Sequence, residues 1–333
     1  MTSWPGATYD AENQLVYLAY GPQVYAINAV NGTEKWRFPS EADNKINFYA
    51  APAVDEQLVV GGYNHVLYGL NLDAGAEQWS FSEAKKPFVG GALVAGERIF
   101  APNADGYLYA LDKSGTLLWQ FESQRELWAT PVVDGQRVYL AGMDHSLYAV
   151  DIESGTQVWK TEDLKGSIAG TPTLSPEGVL YAGTFGAEML AVDVNDGSLL
   201  WRVPTSSWVW SSPALVEGVL YFSDLQGTGY AVNASDGAII WQQQLEIAAK
   251  RAIPGTPLVL GDTVYFASVN GSLFAVDRQT GNTRWNKSFE GKFYAGPIAA
   301  GDSILLAPYG IDVLLMAVDT NGNQVWAFTP AKK

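Results

Sequence analysis

In the runs SLYAVD (residues 146–151) and QVWKT (157–161), apolar and polar positions alternate with a period of two. That spacing lays one face of an extended strand against a neighbour. Two more short apolar runs precede them, ATPVVDG (129–135) and RVYLAG (137–142). Asp-Gly, Met-Asp-His and Ile-Glu-Ser-Gly separate the four, as turns between strands require. The layout recurs along the whole chain, and only EIAAKRA (246–252) has a helix-like look. An all-β protein of about 32 strands is predicted.

The recurrence is nearly verbatim. VYAINAVNGTEKW is followed by LYGLNLDAGAEQW, LYALDKSGTLLW, LYAVDIESGTQVW, MLAVDVNDGSLLW, GYAVNASDGAIIW, LFAVDRQTGNTRW and LMAVDTNGNQVW. The copies end at Trp36, Trp79, Trp119, Trp159, Trp201, Trp241, Trp285 and Trp326, a period of 40 to 44 residues that marks a stacked or radial repeat. A Gly stands four residues before every Trp, where a tight turn needs positive φ. The Asn or Asp ahead of it (Asn28, Asn71, Asp112, Asp151, Asp193, Asn233, Asp277, Asp319) can bond its own turn backbone. Ala, or Gly69 in the second copy, leaves room for a large neighbour. The Trp supplies it, since an indole covers about 150–250 Å² and a four-stranded unit cannot bury both faces alone. The eight Trp residues are therefore expected to dock on the next unit.

These motifs resemble the tryptophan-docking repeats of the pyrroloquinoline quinone (PQQ) quinoprotein propellers and their cofactor-free relatives, the BamB-type outer-membrane assembly lipoproteins. The resemblance runs from Pro5 to Phe328. It implies an eight-bladed β-propeller of four-stranded antiparallel blades, one domain over residues 1–333. The blades would span approximately 1–38, 39–82, 83–122, 123–162, 163–204, 205–244, 245–289 and 290–330. A WD-type propeller is disfavoured because Trp-Asp strand ends and Gly-His openings are missing. BamB-type proteins complete the last blade with a strand from the opposite terminus. Here each blade reads as complete within one repeat, so closure is expected to rest on packing between blades one and eight.

Charge narrows the partners. With 35 acidic against 20 basic residues the net charge is -15, which repels nucleic acid and anionic lipid. Without cysteine there is no disulfide, thiolate metal site or Cys nucleophile. No apolar run reaches the length of a membrane span, and MTSWPGATYD lacks a signal-peptide layout.

Function is expected on the loops between repeats. Three residues before each innermost strand stand Trp4, Tyr49, Val89, Trp128, Ala169, Trp210, Pro254 and Tyr294. The aromatic members could stack a planar ligand or anchor a partner's apolar side chains; the competing reading makes them wedges between inner strands. Basic residues gather in the same loops, Arg125, Lys165, Arg251 and Lys292 among them, interspersed with acids such as Glu126 and Glu290. That mixture suits either an anion-binding rim or a solvated one. The turns between second and third strands carry Tyr20, Tyr63, Met143, Phe185, Leu225 and Ile311, a candidate protein-binding set. His65 and His145 occupy one turn position in two blades and read as surface residues rather than metal ligands.

No P-loop, Gly-x-Ser-x-Gly, His-rich metal spacing or resolved catalytic site appears. The resemblance leaves three functions: a BamB-like scaffold binding a protein partner through the loop face; a PQQ-binding dehydrogenase with calcium; or a glycan-binding propeller. The first is preferred, as a monomer with no cofactor, because the vicinal disulfide common in cofactor-bearing relatives is impossible without cysteine. The resemblance implies a place in the periplasm or at the cell surface, either as an exported protein or as a lipoprotein whose leader has been removed.

Overall fold

The computed structural model describes residues 4–161, 164–246 and 252–331. Residues 247–251 fall outside this set, and with them Arg251 and most of the helix-like stretch. The described residues form eight four-stranded antiparallel sheets, and no helix occurs among them. Each sheet takes four consecutive strands in chain order. Blades 1 to 8 run Gly6–Phe38, Ala53–Phe81, Leu93–Glu122, Val132–Lys160, Thr173–Pro204, Ala214–Gln244, Leu258–Ser288 and Ile298–Phe328. The chain parts into two compact units. The first contains blades 1, 2, 3 and 8; the second is built from blades 4 to 7.

The repeat motif explains itself in the sheet register. In every blade the motif Ala, or Gly69, lies directly across from the motif Trp: Ala26 opposite Trp36, Ala149 opposite Trp159, Ala231 opposite Trp241. The ladder slips by one residue just after that pair, at a bulge. At Gly69 the fit is tightest, since a Cβ there would stand 2.1 Å from the Trp79 ring. The Asx residue closes the turn: Asn28 Oδ1 accepts the N–H groups of Val30 and Asn31, and Gly32 N–H returns to Asn28 O.

Each unit shows how the indoles join blades. In the first unit Trp36 Nε1 donates to Leu72 O at 2.8 Å and its ring covers Gly75. In the second unit Trp201 Nε1 reaches Ala234 O at 3.1 Å and Trp241 Nε1 reaches Arg278 O at 2.9 Å. Blades 8 and 1 use the same device, with Trp326 Nε1 on Ala29 O at 3.0 Å and its ring over Gly32. Between them Val16, Leu18, Tyr25 and Ile27 pack with Leu305, Leu315 and Phe328 in one buried cluster. Among the described residues no strand is exchanged between these two blades; side-chain packing and side-chain hydrogen bonds join them.

Candidate partner-binding surface

Every blade has one end bearing the linkers and the turns between second and third strands, called here the linker side. In the linkers to blades 2 to 8 the residue just before the column that runs from Tyr49 to Tyr294 is a large apolar side chain sealed from solvent: Phe48, Phe88, Leu127, Ile168, Val209, Ile253 and Phe293, none more than 1% exposed. These are the wedges. Phe88 packs among Val59 and Leu67 of blade 2 and Ile99 and Ala101 of blade 3. Glycine makes space for it, a Cβ on Gly61 standing 2.3 Å from Phe88 Cβ. The backbone holds the linker from both sides. Phe48 N–H donates to Gly21 O at 2.8 Å in the turn of blade 1, and Asn47 O accepts Tyr63 N–H at 2.7 Å from the turn of blade 2. In the second unit Val209 N–H bonds Thr184 O at 3.0 Å and Trp208 O accepts Leu225 N–H at 2.9 Å.

Neighbours in an extended chain point to opposite sides. With the wedge turned inward, Tyr49, Trp128, Trp210 and Tyr294 are left half-buried, as is Trp4. The turn residues Tyr20, Tyr63, Met143, Phe185, Leu225 and Ile311 are half-buried as well.

Two aromatic groups result. In the first unit Tyr49 and Tyr63 lie 5.3 Å apart at 45°, and Tyr20 stacks on Tyr309 at 6.2 Å and 23°. Burial raises the Tyr49 phenol above its usual range, and Tyr63 and Tyr309 add to the effect. Burial likewise raises Tyr20, whose hydroxyl donates to Pro308 O at 3.1 Å. These phenols stay protonated at neutral pH, so the cluster offers rings with hydrogen-bonding tips. In the second unit Phe185 lies between Trp208, parallel within 16° at 5.1 Å, and Trp210, inclined 52° at 5.1 Å. Trp208 is 51% exposed, the most open tryptophan of the described residues. Beside it Tyr230 Oη accepts Ser206 N–H at 2.9 Å and donates to Asp224 Oδ2 at 2.9 Å.

Trp208 was not among the residues singled out from the sequence. It belongs to one linker only, so no column of the repeat marks it. The alternation in Trp208-Val209-Trp210 was the available signal, because an inward Val209 sends both indoles outward together.

Arg125 and Lys292 are exposed, while Lys165 is committed to Glu188 at 2.8 Å and Lys86 to Glu126 at 3.7 Å. His65 and His145 are exposed and hold φ of 70° and 68°, the left-handed turn position that Gly106 and Gly227 fill in other blades. Among the described residues no group of three or more His, Asp or Glu could hold a cation. Trp128 Nε1 is shut off from solvent with no acceptor, so this indole contributes mainly its ring.

Comparison with known proteins agrees with this geometry. Residues 2–88, 63–170 and 148–299 match the family described as outer membrane protein assembly factor BamB. Over 133 residues the chain is 26% identical to outer membrane protein assembly factor BamB of Nitrosomonas eutropha, covering 37% of this chain and 31% of that protein. Over 96 residues it is 32% identical to the serine/threonine-protein kinase AfsK of Streptomyces coelicolor, covering 29% of this chain and 11% of that protein. The matched stretches thus span at most a third of these two relatives. The crystal structure of BamB from Moraxella catarrhalis superimposes with a TM-score of 0.70 at 19% identity, covering 97% of this chain and 95% of that one. The fold is a β-propeller, with eight blades of four antiparallel strands.

Proposed function

Because the chain belongs to the family of outer membrane protein assembly factor BamB, we propose that it is a non-catalytic scaffold that binds a protein partner through the linker side of its blades, outside the cytoplasm. One observation carries this reading: the wedge residues relieve the aromatic residues of core duty, leaving Tyr49 and Tyr63 in one unit and Phe185, Trp208 and Trp210 in the other partly exposed. Half-exposed Tyr and Trp on a rigid frame are the residue types that anchor protein interfaces.

Immobilised protein, incubated with detergent-solubilised cell envelope, tests the proposal. Trp208→Ser and Tyr63→Ser are expected to keep the wild-type melting temperature within about 2 °C, as surface changes do, and to lose at least about tenfold in capture of the same partner, the scale of one interface anchor. Capture unchanged in both variants would refute the linker side as the binding face.

The proposed scaffold binds no quinone. Titration with PQQ, with or without calcium, is expected to leave the intrinsic tryptophan fluorescence flat apart from inner-filter loss. Saturable quenching at micromolar ligand, abolished in Trp128→Ala or Trp210→Ala, would instead support the dehydrogenase alternative.

A further inference from the structure

The opposite end of each blade carries the turns between first and second strands and between third and fourth. In two blades the residue that opens, or just precedes, the second strand plugs the junction with the next blade. Gln57 Nε2 donates to Lys113 O at 2.7 Å, and Arg137 Nη1 donates to Val194 O at 2.5 Å. Blade 5, like blade 6 with Val219, has no long polar side chain there. Its residue at that position is Val179, and the residue facing it, where blade 3 has Lys113 and blade 5 has Val194, is Ala234. Two short side chains meet where a long one is needed.

What remains is a groove of about 840 Å³ between blades 5 and 6, lined by Val179, Tyr181, Leu200, Leu215 and Ala234. The volume lies in the range of ligand pockets, roughly 300–1,000 Å³. Its polar atoms are already matched, since Ala234 O accepts both Tyr181 Oη and Trp201 Nε1 at 3.1 Å. Val179, Leu200 and Leu215 give the groove an aliphatic wall, with Leu200 50% exposed at the edge.

The rim is acidic. Glu177 is exposed on one lip and Glu217 lines the other, bonded to Arg278 at 2.7 Å. Asp193, Asp196 and Asp236 stand on the adjoining turns, and hydrogen bonds from Ser198 hold the Asp196 carboxyl below its usual range. An apolar slot inside a carboxylate rim rejects acidic segments and retains basic ones.

We propose that this groove is a second docking site, separate from the linker side, that takes an aliphatic or aromatic side chain of a partner polypeptide flanked by lysine or arginine. The apolar side chain fills the space left by Val179 and Ala234. The flanking cations face Glu177 and the turn aspartates.

The test uses full-length protein with ¹³C-labelled Leu and Val methyls and the peptide acetyl-Gly-Lys-Leu-Phe-Leu-Lys-Gly-amide. Saturable shifts at Val179, Leu200 and Leu215 are expected, with affinity falling at least about threefold between 0.05 and 0.5 M salt as the charges are screened. Val179→Arg, which restores the plug found in blade 4, and Leu200→Ser, an exposed change, should each weaken binding at least about fivefold. Neither should alter capture of the linker-side partner. Absence of saturable shifts, equal binding of the peptide with Glu in place of Lys, or undiminished binding by both folded variants would overturn the proposal.

Discussion

Truncating Trp159 to alanine is expected to lower the unfolding free energy by about 3–5 kcal/mol, the usual cost of emptying a large aromatic site. The indole is 8% exposed, lies 5.8 Å from the Tyr139 ring, and covers Gly197 so closely that a Cβ there would stand 2.7 Å from it. Its Nε1 donates to Val194 O at 2.7 Å, but that carbonyl also accepts Arg137 Nη1 at 2.5 Å. Losing the indole therefore leaves no orphan acceptor, and the cost should come from buried area and cavity rather than a broken hydrogen bond. Trp159→Phe separates these terms, because it keeps most of the ring and drops the donor. It should cost about 1–2 kcal/mol, well under half the alanine loss. Urea denaturation followed by circular dichroism measures both. A Trp159→Ala loss under about 1 kcal/mol, or equal losses in the two variants, would mean that the indole does not clamp the blades by packing.

What could be read from sequence was whatever repeats as local chemistry. The Trp, its Gly and the Asx of the turn recur in every copy because each blade must solve the same turn and bury the same face. The opposing Ala follows from the indole's bulk. The wedge column was also periodic, from Phe48 to Phe293, but it sits one residue before a more conspicuous aromatic column. In a linker with no strand alternation on either side, nothing in one copy says which of the two neighbours turns inward. Backbone bonds to the adjoining turns decide it, as Phe48 N–H to Gly21 O does. Trp208 and the groove at Val179 were harder, being departures from the repeat. An extra exposed ring and a junction where two short side chains face each other leave no period to find.

The scaffold reading also needs the linkers to be held in one place. Close backbone approach between consecutive first strands supplies part of that rigidity, as at Gly90 beside Trp128 O and Gly170 beside Trp210 O. In the second unit the contact is closest at Gly255 and Gly296.

Gly296→Ala is accordingly expected to destabilise the protein by at least about 3 kcal/mol, at the upper end of overpacking costs. A Cβ on Gly296 would stand 1.9 Å from Thr256 O and 2.8 Å from Thr256 N, while one on Gly255 would stand 2.2 Å from Gly296 N. All three obstacles are main-chain atoms, so no rotamer change relieves them, and the two segments must separate. Gly261→Ala provides the control. That glycine has φ of +54° and nothing within 4 Å of its would-be Cβ, so its change should cost only about 1–2 kcal/mol of backbone strain. Because Tyr294 and Lys292 precede Gly296 on the same linker, the separation should reach the linker side as well. In Gly296→Ala, hydrogen exchange at the Phe293 amide, bonded to Ser268 O at 3.2 Å, should accelerate by at least about tenfold, while Gly261→Ala leaves it unchanged. Equal stability losses in the two variants would show that strand spacing tolerates a side chain here and that the glycine is kept for something other than room.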